Sequence, residues 1–541
     1  MWKPKPNSYG FWLLLVVIAV FFFNLDVIYV NIMEARNFIT AREMVNQNHW
    51  ILTTMNNLPR YEKPPLPTWL TAISGAIFGF KSLVAMRLPA ALSTTLLIFV
   101  FYKFIPKLEV SKKQAFISSL ILATSFYIVF SGRNGQWDIF THAFMMVSIY
   151  FLWNLFRSEQ KAMQNALLAG IFFGLSFMSK GPVSLYALWL PFILSFGIVY
   201  RFKNFGKKWL PFVVFLVVGL IIGLWWFVYV RLADPNAFLK IAHQESSRWT
   251  NYNVRPFYYY WSFFTQSGIW TIPSLVAIFY WYLKDKVSNK KAYNFSILWT
   301  VLAVVLLSII PEKKSRYLLP VLIPMALNTG FYIEYLFRRF NGMPLKEKWI
   351  VYFNHGLIAF IGIGFPITSY FMLDLEGYLG WYILSSIVLF TLGVFMLIYL
   401  KKQRYARVFY LTIAFSCGII TCGFPLANAF LDNPDFHNIA ELHAFAEKEN
   451  LPVYEYAAET PELIWEYGEP IPKIHAENIQ MPAADKFGIL VQEKDTTFVQ
   501  QLKNYRILST DRYDLNYVNP NKSGYKNRLI RRFYVLERKI R

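Results

Sequence analysis

The side chains of this 541-residue chain that could do chemistry lie in short segments between long apolar stretches. The first segment contains Glu34 and, further on, the run Glu62-Lys63-Pro64-Pro65. The two prolines favour an extended backbone, so an acid and a base would be held side by side at the edge of the apolar region. A carboxylate next to a cation suits acid–base work or the binding of a charged group.

Further ionisable residues stand at the edges of later apolar stretches. Asp138 opens one stretch and Lys180 closes the next, while His243 and Arg248 lie five residues apart in a polar segment. The segment 311–317 is strongly basic, and its cations are Lys313, Lys314 and Arg316. Lys and Arg bind phosphate well. The pattern therefore predicts a cavity in which a chemical group is transferred from a donor whose leaving group is a phosphate.

Long apolar helices must position this cavity. Hydrophobic residues make up 56% of the chain and charged residues 16%, against about 25% charged in a typical soluble domain. A spanning helix needs about 20 apolar residues, and the sequence predicts thirteen spans: 10–25, 86–106, 114–131, 137–156, 164–180, 182–200, 209–230, 263–283, 293–310, 318–337, 349–371, 380–400 and 407–430. The stretch 67–80 is short and broken by glycine, so we expect a helix at the membrane interface.

The net charge of +22 is distributed unevenly along the chain. With thirteen spans and the N-terminus inside, the cytoplasmic segments together with the adjoining helix ends hold 24 lysines and arginines but only four acids. This is the positive-inside pattern of membrane proteins, and it argues against a nucleic-acid-binding surface. It places the loops 26–85 and 231–262 and the tail 431–541 on the outer side.

The predicted fold is an all-α polytopic membrane domain over 1–430 with outer juxtamembrane helices, followed by a small soluble α/β domain over 431–541. The tail is far more polar than the rest of the chain. Its segments 487–493 and 528–538 are typical of strands, and 496–505 is typical of a helix.

The order of these motifs resembles the GT-C glycosyltransferases of the aminoarabinose-transferase and protein O-mannosyltransferase type. The first loop follows that family's pattern D-E-x-R-Y…R-E-M…W…Y-x-E-K-P in order and nearly in spacing. The resemblance runs from about residue 10 to 340 and is strongest over 30–90.

The resemblance implies an enzyme of the bacterial inner membrane with its active site and C-terminal domain on the periplasmic face. Such enzymes pass a sugar from a polyprenyl-phosphate donor to a lipid A-type glycolipid or a protein, typically with inversion. Asp138 and Lys180 match a cavity acid and base of the family. A transporter or flippase of lipid-linked sugars is the alternative, although inverted repeats and charges at the bilayer centre, which are typical of transporters, are not visible in the sequence.

The resemblance also implies a divalent metal, zinc or a similar ion, held by Glu62 and His243. Lys63 and Arg248 match the family's residues that grip the donor phosphate. The cations Lys180, Lys313, Lys314 and Arg316 would add to this phosphate site.

One position departs from the family pattern. The family's catalytic Asp falls on Met33, and its Tyr falls on Asn37. Glu34 could take the role of the missing carboxylate, Asp26 could reach in from upstream, or an already ionised acceptor would need no general base. Loss of activity is the fourth interpretation. We favour Glu34.

Overall fold

The computed structural model describes residues 5–430, 433–477, 480–495, 498 and 505–539. Its membrane part is helical, with the helices α1 Tyr9–Phe21, α2 Ile32–Asn46, α3 Leu66–Phe78, α4 Leu83–Phe104, α5 Lys112–Ala123, α6 Phe126–Gly132, α7 Asp138–Arg157, α8 Ala162–Lys180, α9 Leu190–Val199, α10 Trp209–Ala233, α11 Pro235–Asn251, α12 Thr271–Ile278, α13 Tyr280–Leu283, α14 Lys290–Ile309, α15 Leu322–Arg339, α16 Leu345–Met372, α17 Leu379–Lys401, α18 Tyr405–Gly418 and α19 Ala427–Phe430. A two-stranded hairpin, β1 Thr54–Met55 and β2 Leu58–Pro59, lies in the first loop between α2 and α3.

Eight helices in the described ranges are long and apolar enough to cross a membrane, and the bent pair α5–α6 would make nine. The predicted count of thirteen is therefore not confirmed by length and composition. The other predicted spans fall on shorter or broken helices. Residues 263–283, for example, divide into a 3₁₀ segment, α12 and α13, with a kink at Gly268 where φ is +66°. The predicted interfacial stretch 67–80 is the short helix α3, which packs against α2 and α4.

Small residues bring α8 and α10 close together. Gly170 and Gly174 of α8 face α10, and Gly219 and Gly223 of α10 face α8. A Cβ on Gly170 would lie 2.7 Å from the backbone oxygen of Phe215, so a larger residue would push the two helices apart. α8 also packs against α7, and this antiparallel arrangement sets the start of α7 beside the end of α8.

The tail contains a five-stranded sheet with the order β4-β3-β5-β7-β6. Its elements are α20 Ile439–Lys448, β3 Val453–Tyr456, α21 Pro461–Tyr467, β4 Lys473–Ile474, β5 Lys486–Gln492, β6 Tyr505–Asp514 and β7 Ile530–Arg538. β3 runs parallel to β4 and β5, whereas β7 is antiparallel to β5 and β6. The two predicted strands are confirmed as β5 and β7, but the helix predicted over 496–505 lies almost entirely outside the described residues.

The tail packs directly on the first loop, residues 26–85. α21 contacts α2, and Ile39 of α2 belongs to the same apolar cluster as the tail's core residues Leu463 and Phe533. The domain boundary at 430/431 stays a prediction, because the apolar core of the tail continues into the membrane part.

Candidate active site

The Glu34 carboxylate is fully hydrogen-bonded within the protein and stabilises the fold. The carboxylate is 0% exposed and accepts five hydrogen bonds. Two come from the Arg87 guanidinium at 2.8 and 3.1 Å, one from the backbone of Gly135 at 2.9 Å, and two from Asn31, with which it forms the capping box of α2. A buried carboxylate in a bidentate pair is not free to take a proton. The geometry therefore argues against the role of general base expected for Glu34.

Asn37, where the family has a Tyr, is also structural, whereas Asp26 stays a prediction. Asn37 donates to the backbone oxygen of Gly135 at 2.8 Å and accepts from Thr68 at 2.7 Å, which joins α2 to α3. Asp26 lies exposed between α1 and α2, where its charge acts on Arg133. The guanidinium of Arg133 in turn donates to the backbone oxygens of Val20 and Asn24, both at 2.7 Å.

Asp138 and Lys180 form a buried ion pair where α7 begins and α8 ends. The two residues are 5% and 8% exposed. An acid at a helix N-terminus and a base at a helix C-terminus both complement the helix dipole, so this end of the bundle suits the pair. The Lys180 ammonium also lies 5.5 Å from the centre of the Tyr317 ring. The sequence-based expectation that these two residues share one cavity edge agrees with this geometry.

A buried polar layer lies one turn below this pair. The Thr141 hydroxyl donates to the backbone oxygen of Ser176 at 2.9 Å, and the His142 Nδ1 lies 2.8 Å from the Ser184 hydroxyl. His142 is 1% exposed. Sequence reasoning missed it, although its position four residues after Asp138 on one helix face was a usable signal.

The basic segment 311–317 contributes Arg316 to the site but uses its two lysines elsewhere. The Lys313 ammonium is 3% exposed and donates to the backbone oxygens of Ile310 at 2.6 Å and Arg255 at 3.0 Å. The Lys314 ammonium pairs with Glu312 at 2.5 Å. The expected role of these two lysines on the donor phosphate is therefore not supported by their contacts, since Lys313 joins this segment to the one that contains Arg255 and Lys314 pairs within the segment.

Arg316 interacts electrostatically with the buried pair Asp138–Lys180. Burial acts to lower the pKa of Arg316, but the charge of Asp138 and the neighbouring Tyr317 raise it overall. The guanidinium Nε is buried without a hydrogen-bond partner among the described residues. A charged donor held in this way is suited to an anion that the chain itself does not supply.

Lys63 and Arg248 are brought together by a shared carboxylate on α11. The Glu245 Oε2 lies 3.3 Å from the Lys63 ammonium, and the Glu245 Oε1 pairs with the Arg248 guanidinium. The segment carrying Lys63 is held there by Tyr61, whose hydroxyl donates to Asp234 at 3.0 Å at the start of α11. The prediction that both cations bind one ligand fits this geometry.

Glu62 and His243 are the two residues expected to hold a metal. The Glu62 Oε2 lies 3.6 Å from the Arg60 Nε, so a cation already occupies its surroundings. His243 is exposed and precedes Glu245 by two positions on α11, which puts the two side chains on opposite helix faces. In the described ranges, no group of three or more His, Cys, Asp or Glu could hold a metal ion. The metal stays a prediction, and the proposed sugar transfer does not depend on it.

A small pocket connects the Lys63 cluster with the start of α7. It is lined by Thr40, Thr53, Arg60, Lys63, Pro65, Thr68 and Trp137. The Arg60 guanidinium stacks 5.0 Å from the centre of the Trp137 ring, and Trp137 directly precedes Asp138. Burial lowers the pKa of Arg60 to about 10, although Glu62 opposes this effect. Arg60 therefore remains a cation at neutral pH, and it is a site residue that sequence reasoning did not select.

Known proteins resemble this chain in sequence. A family model for dolichyl-phosphate-mannose-protein mannosyltransferases matches residues 62–226. The undecaprenyl phosphate-alpha-4-amino-4-deoxy-L-arabinose arabinosyl transferase of Pseudomonas savastanoi pv. phaseolicola is 24% identical over 344 residues, which cover 61% of each chain. A similarly named protein of Proteus mirabilis is 25% identical over 336 residues, 61% of this chain and 60% of the relative. The matches thus span about three-fifths of the length of these relatives.

The solved structure of ArnT from Cupriavidus metallidurans bound to undecaprenyl phosphate superposes with a TM-score of 0.70. The superposition covers 98% of both chains at 15% sequence identity. At this identity the likeness demonstrates a common fold and no more.

Proposed function

We propose that this chain transfers a sugar from a polyprenyl-phosphate donor to an acceptor. The premise is that it is a GT-C membrane protein of the aminoarabinose-transferase and protein O-mannosyltransferase family. The observation that supports this most directly is the cluster of cations at one end of the bundle. Lys180 interacts electrostatically with both Arg316 and Lys63, and Lys63 shares Glu245 with Arg248.

These cations suit a phosphate leaving group. When the bond between the sugar and the donor phosphate breaks, negative charge grows on the phosphate oxygens, and fixed cations stabilise that charge more than they stabilise the intact donor. Lys63 and Arg248 are only partly buried and share one carboxylate, so a phosphate can replace Glu245 as their partner. Lys180 keeps Asp138 as its partner. It therefore acts on the donor phosphate through its electrostatic field rather than through a direct contact.

The names of the bacterial relatives support an undecaprenyl phosphate-linked amino sugar as the donor. The acceptor we propose is a lipid A-type glycolipid or a protein. We expect envelope lipid A or envelope glycoproteins to gain one sugar mass when the gene is present and to lose it on deletion, as measured by mass spectrometry. Complementation with the wild-type gene should restore the mass. Identical lipid and glycoprotein spectra with and without the gene would contradict the proposed function.

We also propose that the protein spans the inner membrane thirteen times, with the N-terminus in the cytoplasm and the active site and tail on the periplasmic face. The uneven distribution of lysine and arginine supports this orientation. A reporter enzyme that works only in the periplasm, fused after Arg541, should therefore be active. A fusion at the same place that is active only as a cytoplasmic reporter would refute the orientation.

A further inference from the structure

The tail is docked rigidly against the first outer loop at the edge of the site. The Arg42 guanidinium of α2 donates to the backbone oxygens of Ile464 at 3.2 Å and Trp465 at 3.5 Å. The side chain of Asn56, at the hairpin β1–β2, donates to the backbone oxygen of Ile471 at 2.8 Å and accepts from its backbone nitrogen at 2.7 Å. Residues between β3 and β4 are thus held in a defined place relative to α2.

The loop between β3 and α21 is braced from behind by a buried ion pair. Arg531 of β7 donates to the Glu455 carboxylate at 2.9 and 3.1 Å, and it also donates to the Thr460 hydroxyl. Arg531 and Glu455 are 0% and 1% exposed. Because both ends of the short segment 456–460 are tied to this pair, the one acidic side chain within it, Glu459, has a fixed position.

Glu459 places one carboxylate oxygen without a hydrogen-bond partner at the interface between the tail and the first loop. Its Oε1 is buried and has no partner among the described residues. The charged groups around it are Lys473 and Glu455 of the tail and Arg36 and Arg60 of the first loop. Burial raises the pKa of Glu459 above the usual value for a glutamate, so it is a stronger base than an exposed carboxylate.

Unpartnered polar atoms lie on both sides of this interface. The Arg36 Nε of α2 is also buried without a hydrogen-bond partner in the described chain. Burying a polar atom without a partner costs free energy, and such atoms are rare in native proteins. Their position on both sides of the interface indicates that a polar ligand completes the site.

The carboxylates of α2 itself are already in use. Glu34 is paired with Arg87, and Glu43 accepts hydrogen bonds from Thr54 at 2.6 Å and from the backbone of Asn56 at 2.7 Å. Glu459 reaches the same region from the tail, and its neighbour Arg60 lines the pocket that also contains Lys63. The tail therefore brings a carboxylate close to an arginine that lines this pocket.

We propose that Glu459 accepts the proton of the acceptor's O–H group during sugar transfer. The inference rests on the proposed function. The acceptor oxygen loses its proton to the Glu459 carboxylate and forms a bond to the anomeric carbon of the sugar. The bond from that carbon to the donor phosphate breaks, and its electron pair leaves with the phosphate, which the cations around Lys63 hold. The acceptor class is thus a group that still carries a proton.

The test compares full-length Glu459→Gln, Glu459→Asp and Glu459→Ala proteins, with Glu447→Gln on the exposed face of α20 as the matched control. We expect Glu459→Gln to lower kcat about 100-fold or more, as loss of a general base does, without changing the KM for the donor or the binding of undecaprenyl phosphate. Glu459→Asp should retain part of the activity. Added formate should raise the rate of Glu459→Ala, because a small carboxylate can replace the missing base.

A Glu459→Gln rate within threefold of the wild type, or a Glu459→Ala rate that formate does not raise, would overturn the role of Glu459. Both results require that the wild type and Glu447→Gln transfer sugar in the same assay. Absence of transfer by the wild type itself would instead contradict the proposed function, so the two failures are distinguishable.

Discussion

Replacing Lys63 with alanine is expected to reduce sugar transfer about 100- to 1,000-fold, the range seen when one fixed donor to a developing negative charge is removed. The Lys63 side chain is 25% exposed and its partner Glu245 is 27% exposed. An ion pair of this exposure contributes little to stability, so the variant should insert and fold normally. Transfer by membranes that carry equal amounts of each protein measures the effect.

Lys81→Ala is the matched control for this prediction, because Lys81 is an exposed lysine of the same outer segment. It should leave the transfer rate unchanged. The sequence predicts for Glu62→Ala a loss as complete as that for Lys63→Ala. Unchanged product formation with either Glu62→Ala or Lys63→Ala would contradict the assignment of that residue to the site.

Replacing Lys180 with methionine is expected to destabilise the protein strongly as well as inactivate it. Asp138 would be left buried without its counter-ion, and breaking a buried pair in this way costs about 3–5 kcal/mol. The double variant Asp138→Asn/Lys180→Met removes both charges, so it should regain most of the stability but none of the activity. Thermal unfolding of the detergent-solubilised proteins, alongside the transfer assay, measures both effects.

The double variant separates a structural role of this pair from a functional one. If it recovered transfer together with stability, the pair would serve only the fold, and the field of Lys180 on the donor phosphate would not be needed. If Lys180→Met melted like the wild type, the pair would not be buried as the structure places it.

Several features of the fold were readable from local sequence. Apolar runs longer than a bilayer is thick predict helices such as α10, α16 and α17, because a backbone in lipid must satisfy its own hydrogen bonds. Short apolar runs in the polar tail predicted β5 and β7. The number of spans was less accessible, since breaks such as Gly268 depend on contacts with other helices that a hydropathy pattern does not contain.

The candidate site, like the fold, could be predicted from the sequence only in part. The sequence placed Lys63, Arg248, Asp138 and Lys180 on one face, and the structure brings them together in two neighbouring pairs. It did not reveal that Lys313 binds backbone oxygens, because a buried lysine and an exposed one look the same in a sequence.

The sequence by itself determined the membrane class, and it predicted the orientation and the cations Lys63 and Arg248 of the donor side. These properties depend on composition and on charges close in the chain. Only the tertiary structure decided which carboxylate is free. Arg87 is 53 residues from Glu34 and neutralises it, whereas Glu459, more than 400 residues further on, arrives at Arg36 and Arg60 without a hydrogen-bond partner for its buried oxygen. The reactivity of a carboxylate depends on its solvation and on the charges around it, and folding sets both through residues that are distant in the chain.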